Sequence, residues 1–389
     1  MISRKKFMIC LIAVFLAAVM PACHATQDEG DVEIDWPETI YTVTPAPGPT
    51  QEPKTAAKPT ADSQSGTMSI TLTFTGDLTI GTNYKKYRNM SASIFGKELK
   101  RQGDDPAFFL RNIRDILLAD DLTVVNFEGT LADSVIIPSS KRENEFLFLA
   151  PPSYADVLLP NGIEAATLEN NHVMDFGENG YQSTLDTLRQ AGIVCADSEQ
   201  IGICDINGIR VGLLAYQTFN GGYDRIYATL EQDIQKARDM GCQIVTVSYH
   251  WGDEKDYVPN SRQQKLAKTT IDYGADLVVG HHSHRINPIE EYNGKYIVYS
   301  LGNFSFAGHN KPSDMLTYLF QIRFKYRRGE MFGTDFRIIP CRISSKQDYN
   351  DFAVTPLTET RYIDTILSKL KDFGRQIDNP VSNYPLEWD

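Results

Sequence analysis

Histidines recur in this sequence directly after segments that are predicted to be strands. Five of the seven histidines follow this pattern: His172, His250, His281, His282 and His284. Carboxylates and asparagines stand at similar positions. Neutral imidazoles and carboxylates are ligands that Zn²⁺, Mn²⁺ and Fe²⁺ bind well. Two such ions held close together can activate a water molecule and stabilise charge on a phosphoryl or carbonyl oxygen. The residue types therefore predict a divalent metal centre.

Four short segments carry these residues, and each contains glycine close to its polar groups. They are Gly76-Asp77; Asn126-Phe127-Glu128-Gly129; Glu169-Asn170-Asn171-His172 with Asp175 and Gly177; and His250-Trp251-Gly252-Asp253-Glu254 joined by Gly280-His281-His282-Ser283-His284. Glycine lets a backbone turn sharply or approach a neighbour closely. A single aspartate after a strand is commonly a turn residue, whereas three histidines within four positions are rarely explained by packing. The combination favours a functional site.

The elements that would position these residues alternate between strand and helix patterns. Strands are predicted at residues 69–74, 120–126, 162–168, 244–249, 276–279, 295–300 and 317–324, and helices at 107–119, 181–191, 262–273 and 362–373. Asn207-Gly208 and Asn293-Gly294 predict two hairpins. This alternation is typical of a layered α/β domain with mixed sheets. In such domains the ends of strands hold ligands and catalytic groups.

The amino-terminal part of the chain is predicted to lie outside the folded domain. Residues 1–23 combine a cationic start, a short apolar run and Pro21-Ala22-Cys23, which favours an export signal. Lipidation of Cys23 is favoured over simple secretion or an uncleaved anchor. Residues 24–67 are rich in Pro and Thr and predict a disordered tether. Residues 68–389 form the predicted domain, which we expect to be anchored outside the cytoplasmic membrane or secreted.

Composition limits the classes of partner. The hydrophobic content of 42% is enough for a substantial core. The net charge of −12 disfavours nucleic acid as a partner. Cysteines 195, 204, 242 and 341 match no zinc-knuckle spacing. Export would permit disulfides, but four buried thiols are the favoured interpretation.

Six motifs in one order resemble the bacterial capsule-synthesis CapA family, which is associated with poly-γ-glutamate. Five of them are parts of the segments above, and the sixth is Tyr299-Ser300-Leu301-Gly302-Asn303-Phe304. The likeness spans about residues 69–308. The family is similar to calcineurin-like metallophosphoesterases. The resemblance therefore implies an α/β fold, a layered α-β-β-α sandwich of two mixed sheets flanked by helices.

The resemblance also implies roles for individual residues. His172 would be the general acid, oriented by Asp175. The implied metal ligands are Asp77, Glu128, Asn171, His250, His282 and His284. The implied substrate-binding residues are Asn126, Asn170, Trp251, Glu254, His281 and Asn303, with Trp251 as an aromatic wall. Mn, Fe or Zn would be the cofactor.

Three departures from the wider superfamily leave the number of ions open between none and two. The first motif reads Asp77-Leu78-Thr79, where the superfamily has Asp-x-His, so one ligand is missing. Glu128 stands where an aspartate is usual. His281 stands where glycine usually precedes the His-x-His pair.

Two functions follow from the residues and the resemblance together. In the first, a metal-dependent hydrolase acts on a phosphoryl or amide bond in a cell-surface polymer or its precursor. In the second, a non-catalytic accessory protein binds an anionic polymer beside a membrane-bound synthase or export complex. No Ser or Cys with an adjacent base stands out, which disfavours a covalent acyl mechanism.

Overall fold

The computed structural model describes residues 66–135 and 146–388, and the strands follow the alternating patterns of the sequence. They are β1 (Thr67–Thr79), β2 (Thr82–Asn83), β3 (Leu122–Phe127), β4 (Thr130–Leu131), β5 (Phe148–Ala150), β6 (Ala165–Thr167), β7 (Val194–Ala196), β8 (Gly202–Ile206), β9 (Ile209–Gln217), β10 (Ile244–His250), β11 (Leu277–His281), β12 (Ile289–Tyr292), β13 (Lys295–Val298), β14 (Asn303–Phe306), β15 (Leu316–Arg327), β16 (Glu330–Arg342) and β17 (Thr355–Pro356).

Six α-helices are present in the same residues. They are α1 (Ile94–Arg101), α2 (Arg114–Leu117), α3 (Gly177–Gln190), α4 (Gly222–Asp239), α5 (Ser261–Asp272) and α6 (Thr360–Gly374). Short 3-10 helices cover Met90–Ala92, Pro106–Phe109, Pro152–Val157 and Leu159–Asn161. Among the described residues, no helix combines the length and apolarity needed to cross a membrane.

Two mixed sheets dominate the fold. The first has the order β17-β16-β15-β1-β3-β6-β7, with β14 also paired to β1. In it, β1, β3, β6 and β7 are parallel, whereas β15 runs antiparallel to β1. The second has the order β12-β13-β11-β10-β9-β8, in which β9, β10, β11 and β13 are parallel. A small third sheet is formed by β2, β5 and β4.

Successive apolar side chains of the strands point to opposite faces of each sheet. One face of each sheet packs against the other sheet, and the opposite face packs against helices. Ile70 and Phe74 of β1 share one core cluster with Val211 and Leu213 of β9, so the two large sheets pack face to face. A second cluster joins the outer face of the first sheet to α1, α2 and α3. A third joins the outer face of the second sheet to α4 and α5. The predicted α-β-β-α sandwich of two mixed sheets flanked by helices is confirmed.

Most predicted elements are present, but one predicted helix is broken and some observed elements were not predicted. The helix predicted at residues 107–119 is broken into a 3-10 helix and the four-residue helix α2. Helix α4 was not predicted, although Ile226, Leu230 and Ile234 recur every four residues on its buried face. The four described cysteines are buried free thiols, as favoured. Cys23, the export signal and residues 24–65 of the tether lie outside the described residues.

Glu164 directly precedes β6 at the amino-terminal ends of the parallel strands, where its Oε2 accepts a hydrogen bond from the Thr123 N–H at 2.8 Å. Its ionisation predicts how the stability of the fold depends on pH. Burial raises the pKa of Glu164 from 4.5 to about 7. Between these values the folded state holds a proton that the unfolded chain releases. The stability contributed by this group therefore falls as pH rises through that window.

We expect the Glu164→Gln substitution to remove this pH dependence. Between about pH 5 and about pH 7.5, the wild type should lose on the order of 2 kcal/mol more in free energy of unfolding than the variant. Urea denaturation of both proteins at the two pH values measures the difference. Parallel pH profiles would show that Glu164 does not retain its proton in the folded protein.

Candidate metal centre

The carboxyl-terminal ends of the central strands bring the predicted residues to one edge of the sandwich. In the first sheet, Asp77 of β1 is in register with Asn126 of β3 on one side and Asn303 of β14 on the other. In the second sheet, His250 ends β10 and is in register with His281, which ends β11. Contacts between these two groups of residues join the sheets at this edge.

Two glycines permit the close backbone approaches that this edge requires. A Cβ on Gly76 would lie 2.1 Å from the carbonyl oxygen of Gly302. A Cβ on Gly280 would lie 2.0 Å from the carbonyl oxygen of Tyr299. Both distances are far below a van der Waals contact, so these strands come together only with glycine at the two positions.

The polar side chains at these strand ends form a cluster of Asp77, Glu128, His250, His281, His282 and His284. Asp77 is fully buried within it. Its Oδ1 accepts a hydrogen bond from Asn126 Nδ2 at 2.8 Å and lies 3.2 Å from His281 Nδ1. Its Oδ2 lies 3.1 Å from His284 Nδ1 and accepts a bond from the His282 N–H at 3.3 Å. The Asp77 carboxylate of the first sheet therefore contacts the histidine loop of the second sheet, which is residues 281–284 at the end of β11.

Glu128 reaches the same cluster from the loop after β3. Its backbone N–H donates to the Leu78 carbonyl at 2.9 Å, which fixes the loop beside β1. Its Oε1 lies 3.5 Å from His250 Nε2. Thr79, at the position of the missing ligand, donates its hydroxyl to Glu128 Oε2 across 3.5 Å.

A second group of ligand atoms gathers around His250. Its Nε2 lies 2.7 Å from Asn171 Oδ1 and 3.0 Å from His282 Nδ1. Its other ring nitrogen lies 3.3 Å from Asn126 Nδ2, which fixes the orientation of the ring. Asn171 is exposed, so this group borders solvent.

The histidine loop adopts a conformation that L-residues seldom adopt. His282 has φ of +90° and His284 has φ of +52°. Left-handed backbone in non-glycine residues costs on the order of 1–3 kcal/mol and tends to cluster at functional sites. Here it turns the imidazoles of both residues towards the cluster.

Burial and the neighbouring charges shift the pKa values of the ionisable groups in opposite directions: those of Glu128 and His284 rise, and those of His250 and His282 fall. Burial and the charge of Asp77 raise the pKa of Glu128 to about 7. Burial lowers the pKa of His284, but the charges of Glu128 and Asp77 raise it more, to about 9. Burial and the charge of His284 lower the pKa of His282 to about 4, and burial lowers that of His250 well below its usual value. His250 and His282 are therefore neutral near pH 7, as metal ligation requires, whereas His284 is protonated in the metal-free protein and would release its proton when an ion binds.

His172 and Asp175 form a pair at the mouth of the cluster. His172 Nδ1 lies 2.9 Å from Asp175 Oδ2, and that oxygen also accepts a bond from the Phe148 N–H at 2.9 Å. Burial lowers the pKa of His172, but the hydrogen bond and charge of Asp175, with the charge of Glu128, produce a net increase. The buried carboxylate thus both orients the imidazole and favours its protonated form.

The buried atoms of the cluster fit a divalent cation. One ligand atom each from Asp77, Glu128 and His284 lies within 4.8 Å of the others. Glu128 Oε1 is buried and makes no hydrogen bond, and His284 Nδ1 is buried 3.1 Å from Asp77 Oδ2 without the geometry of a hydrogen bond. Donor atoms that surround one Zn²⁺ each lie about 2.0–2.2 Å from it and so at most about 4.4 Å from one another, so the three side chains would move slightly closer around an ion. His250, His282 and Asn171 offer a second set of donors beside the first.

Three of the predicted substrate-binding residues do not line an accessible surface. Asn126 and Asn170 are each 1% exposed, and Asn170 Nδ2 donates to Asn126 Oδ1 at 3.3 Å. Trp251 is fully buried, stacks on Tyr249 and donates its indole N–H to the Tyr299 carbonyl at 3.1 Å. In this structure the three side chains pack behind the cluster and support it, and their contact with a substrate stays a prediction.

The other three predicted substrate-binding residues lie in different surroundings. Glu254 is exposed on the loop after β10. Its charge opposes the lowering of the pKa of His282 by burial and adds to the increase in the pKa of His284. His281 and Asn303 are buried in the cluster, 4% exposed each.

Aromatic rings flank the cluster, and sequence reasoning missed them. The ring of Phe219 lies 4.6 Å from that of His282, and the ring of Phe306 lies 5.9 Å from that of His284. Phe148 meets the ring of His172 edge-on at 4.7 Å. Phe219 follows β9 and Phe306 ends β14, so both lie at strand ends as the histidines do. They were not predicted because only polar residues were considered at strand ends.

The sandwich and its polar strand ends agree with the class of fold that the six motifs imply. The chain belongs to the family described as bacterial capsule synthesis protein PGA_cap, whose sequence profile matches residues 71–307. The resemblance to the CapA family is thereby confirmed.

Characterised relatives carry related names. The chain is 29% identical over 279 residues to the capsule biosynthesis protein CapA of Bacillus anthracis, covering 65% of this chain and 64% of the relative. It is 29% identical over 267 residues to the PGA biosynthesis protein CapA of Bacillus subtilis (strain 168), covering 61% and 63%. The chain thus spans a little under two thirds of each relative.

A solved structure with a related layout is the 5'-nucleotidase from Candida albicans SC5314. The match covers 78% of this chain and 58% of the nucleotidase, at 11% identity and a TM-score of 0.39. A likeness of this size adds nothing to the fold described above.

Proposed function

We propose that this protein is a metal-dependent hydrolase of capsule or poly-γ-glutamate biosynthesis, acting on a phosphoryl or amide bond of an anionic polymer or its precursor. The observation that carries the proposal is the set of buried Asp77 and Glu128 and half-buried His284, whose ligand atoms converge. Membership of the capsule synthesis family supports the pathway. When bound, a divalent ion would supply Lewis-acid stabilisation and an activated water.

The residues around the ligands have distinct tasks in this proposal. Asp77, Glu128 and His284 hold one ion, and His250, His282 and Asn171 offer a second position. His172 keeps its Nδ1 bonded to Asp175, so its Nε2 is the atom that can give a proton to a leaving group. The net increase in the pKa of His172 suits that role.

Hydrolysis assays with the full chain test the proposal. The purified protein would be loaded with Mn²⁺ or Zn²⁺ and tested on phosphomonoesters, phosphodiesters and poly-γ-glutamate, with a chelator-treated sample as control. Turnover of one class that is lost with the chelator and recovered with metal would support a hydrolase. Absence of turnover in a metal-loaded protein, on all three classes, would contradict it.

Thr79 favours one alternative function. Because this residue replaces a histidine ligand of the superfamily, the centre has one fewer strong donor. In the alternative, the domain is an accessory subunit that binds an anionic polymer through its metal and supports a membrane-bound synthase or export complex. Metal-dependent binding of poly-γ-glutamate without cleavage, measured by sedimentation, would favour this function over the hydrolase.

Membrane anchoring through Cys23 is a separate part of the proposal. The export pattern of residues 1–23 and the tether of residues 24–67 would hold the domain outside the cytoplasmic membrane. We expect cells that express the full chain to incorporate labelled palmitate into it, and the Cys23→Ser variant to incorporate none. Equal labelling of both proteins, or none in the wild type, would rule out lipidation at Cys23.

A further inference from the structure

Buried side-chain atoms without a hydrogen bond are concentrated at the metal centre. Ten such atoms occur in residues 66–135 and 146–388, and four of them belong to this one cluster: Glu128 Oε1, His281 Nδ1, His284 Nδ1 and Asn303 Oδ1. A buried polar group left without a partner costs about 1–3 kcal/mol. Among the four, His281 and Asn303 are the residues to which the family resemblance assigns no metal ligation. His281 Nδ1 already lies 3.2 Å from Asp77 Oδ1, which leaves Asn303.

The position of Asn303 is set by the sheet. It begins β14 and is the register partner of Asp77 on the neighbouring parallel strand. The Asp77 N–H donates to the Gly302 carbonyl at 3.0 Å, which fixes β14 beside β1 at this point. Register partners on adjacent strands lie about 4.8 Å apart and place their side chains on the same face of the sheet. Asn303 therefore lies beside Asp77 on the neighbouring strand, at the point where the regular pairing of β1 with β14 is interrupted.

The asparagine on the other side of Asp77 provides a comparison. Asn126 is also in register with Asp77, but its amide is fully used. Its Nδ2 donates to Asp77 Oδ1, and its Oδ1 accepts bonds from Thr167 and Asn170. Two asparagines thus flank one aspartate in the same row. Asn126 has a supporting role, whereas Asn303 has a buried carbonyl oxygen with no donor among the described residues.

We infer that Asn303 Oδ1 is a ligand of the ion held by Asp77, Glu128 and His284, and that it supplies the donor that Thr79 lacks. An amide oxygen is a suitable ligand for Mn²⁺ and Fe²⁺. A cation also explains why a buried carbonyl remains without a hydrogen-bond donor. This inference rests on the proposed metal centre, and it replaces the substrate-binding role that the family resemblance implied for Asn303.

Metal titration of purified full-length variants tests the inference. Affinity for Mn²⁺ would be measured by calorimetry for the wild type, Asn303→Ala, Asn303→Asp and Asn161→Ala. Asn161 is a matched control because it is also a buried asparagine, and its Nδ2 bonds the Val157 carbonyl away from the centre. We expect Asn303→Ala to weaken binding about 10- to 100-fold, and Asn161→Ala to leave it unchanged.

The Asn303→Asp variant provides an independent readout. It keeps the shape of the side chain but adds a negative charge beside Asp77. Without metal the variant should therefore melt at a lower temperature than the wild type, and saturating Mn²⁺ should raise its melting temperature more than it raises that of the wild type. An equal rise of the melting temperature in both proteins would show that the side chain at position 303 does not reach the ion.

The outcomes separate this inference from the proposed function. If the wild type binds Mn²⁺ and Asn303→Ala binds it within twofold of the same affinity, Asn303 is not a ligand and the metal centre still stands. If Asn303→Ala does not fold, a folded Asn303→Asp without the extra metal stabilisation overturns the inference. If the wild type itself binds no metal, both the proposed function and the inference are wrong.

Discussion

Replacing His284 with alanine is expected to lower the affinity for Mn²⁺ or Zn²⁺ by at least on the order of 100-fold, and to reduce any hydrolysis in proportion. His284 is one of the three side chains with converging ligand atoms, and its Nδ1 lies 3.1 Å from Asp77 Oδ2. Calorimetric titration of the metal-free proteins measures the change. His309→Ala is a suitable control, because this histidine is exposed and its Nδ1 accepts a bond from the Lys311 N–H outside the centre.

The fold should survive this substitution. His284 follows β11 in a loop, its side chain is 17% exposed, and the main apolar clusters do not include it. Far-ultraviolet circular dichroism of His284→Ala should therefore match that of the wild type. A folded variant that retains wild-type affinity for the metal would remove His284 from the ligand set and shift the centre towards His250 and His282.

Replacing His172 with alanine is expected to lower kcat by about 10²- to 10⁴-fold on the substrate that the assays identify, which is the usual contribution of a general acid. Metal affinity should change little, because His172 lies outside the ligand set. The reason for the effect is the loss of the imidazole that Asp175 orients through the 2.9 Å contact. Steady-state kinetics together with calorimetry separate the two effects.

Substrates with different leaving groups provide the control for this prediction. A leaving group that needs no proton, such as p-nitrophenolate, should be less affected by His172→Ala than an alkoxide. Met174→Ala changes an exposed neighbour of the pair and should have kinetics like the wild type. An equal loss for both kinds of leaving group would argue that His172 positions the substrate and is not a proton donor.

The sequence predicts that the site lies at the carboxyl-terminal ends of the strands, because the ends of parallel strands meet on the same side of the sandwich. Asp77, His250 and His281 all come shortly after predicted strands. The Asn-Gly hairpins were also predicted, because their turn type depends on two adjacent residues. Patterns of this local kind are readable from one sequence.

Features that depend on tertiary contacts were harder to predict. The sequence places Asp77 at a loop end, whereas β14 pairs with β1 and extends the sheet past Asp77, so this residue is fully buried within the strand. Substituting Asp77 should therefore also destabilise the fold. Trp251 was expected to contact substrate, but its indole packs in the core against the backbone of Gly280 in β11. The contact is so close that a Cβ added at Gly280 would lie 2.4 Å from the indole nitrogen.

Metal content is the most direct test of the metal centre. Elemental mass spectrometry of the purified full chain should find Mn, Fe or Zn at close to one or two ions per chain, and a clear loss in the His284→Ala variant, which lacks one of the three converging ligands. Metal in the wild type that is lost in the variant would support the centre described here. Absence of metal from the wild type, even after incubation with each ion, would contradict it and favour a polymer-binding protein without metal chemistry.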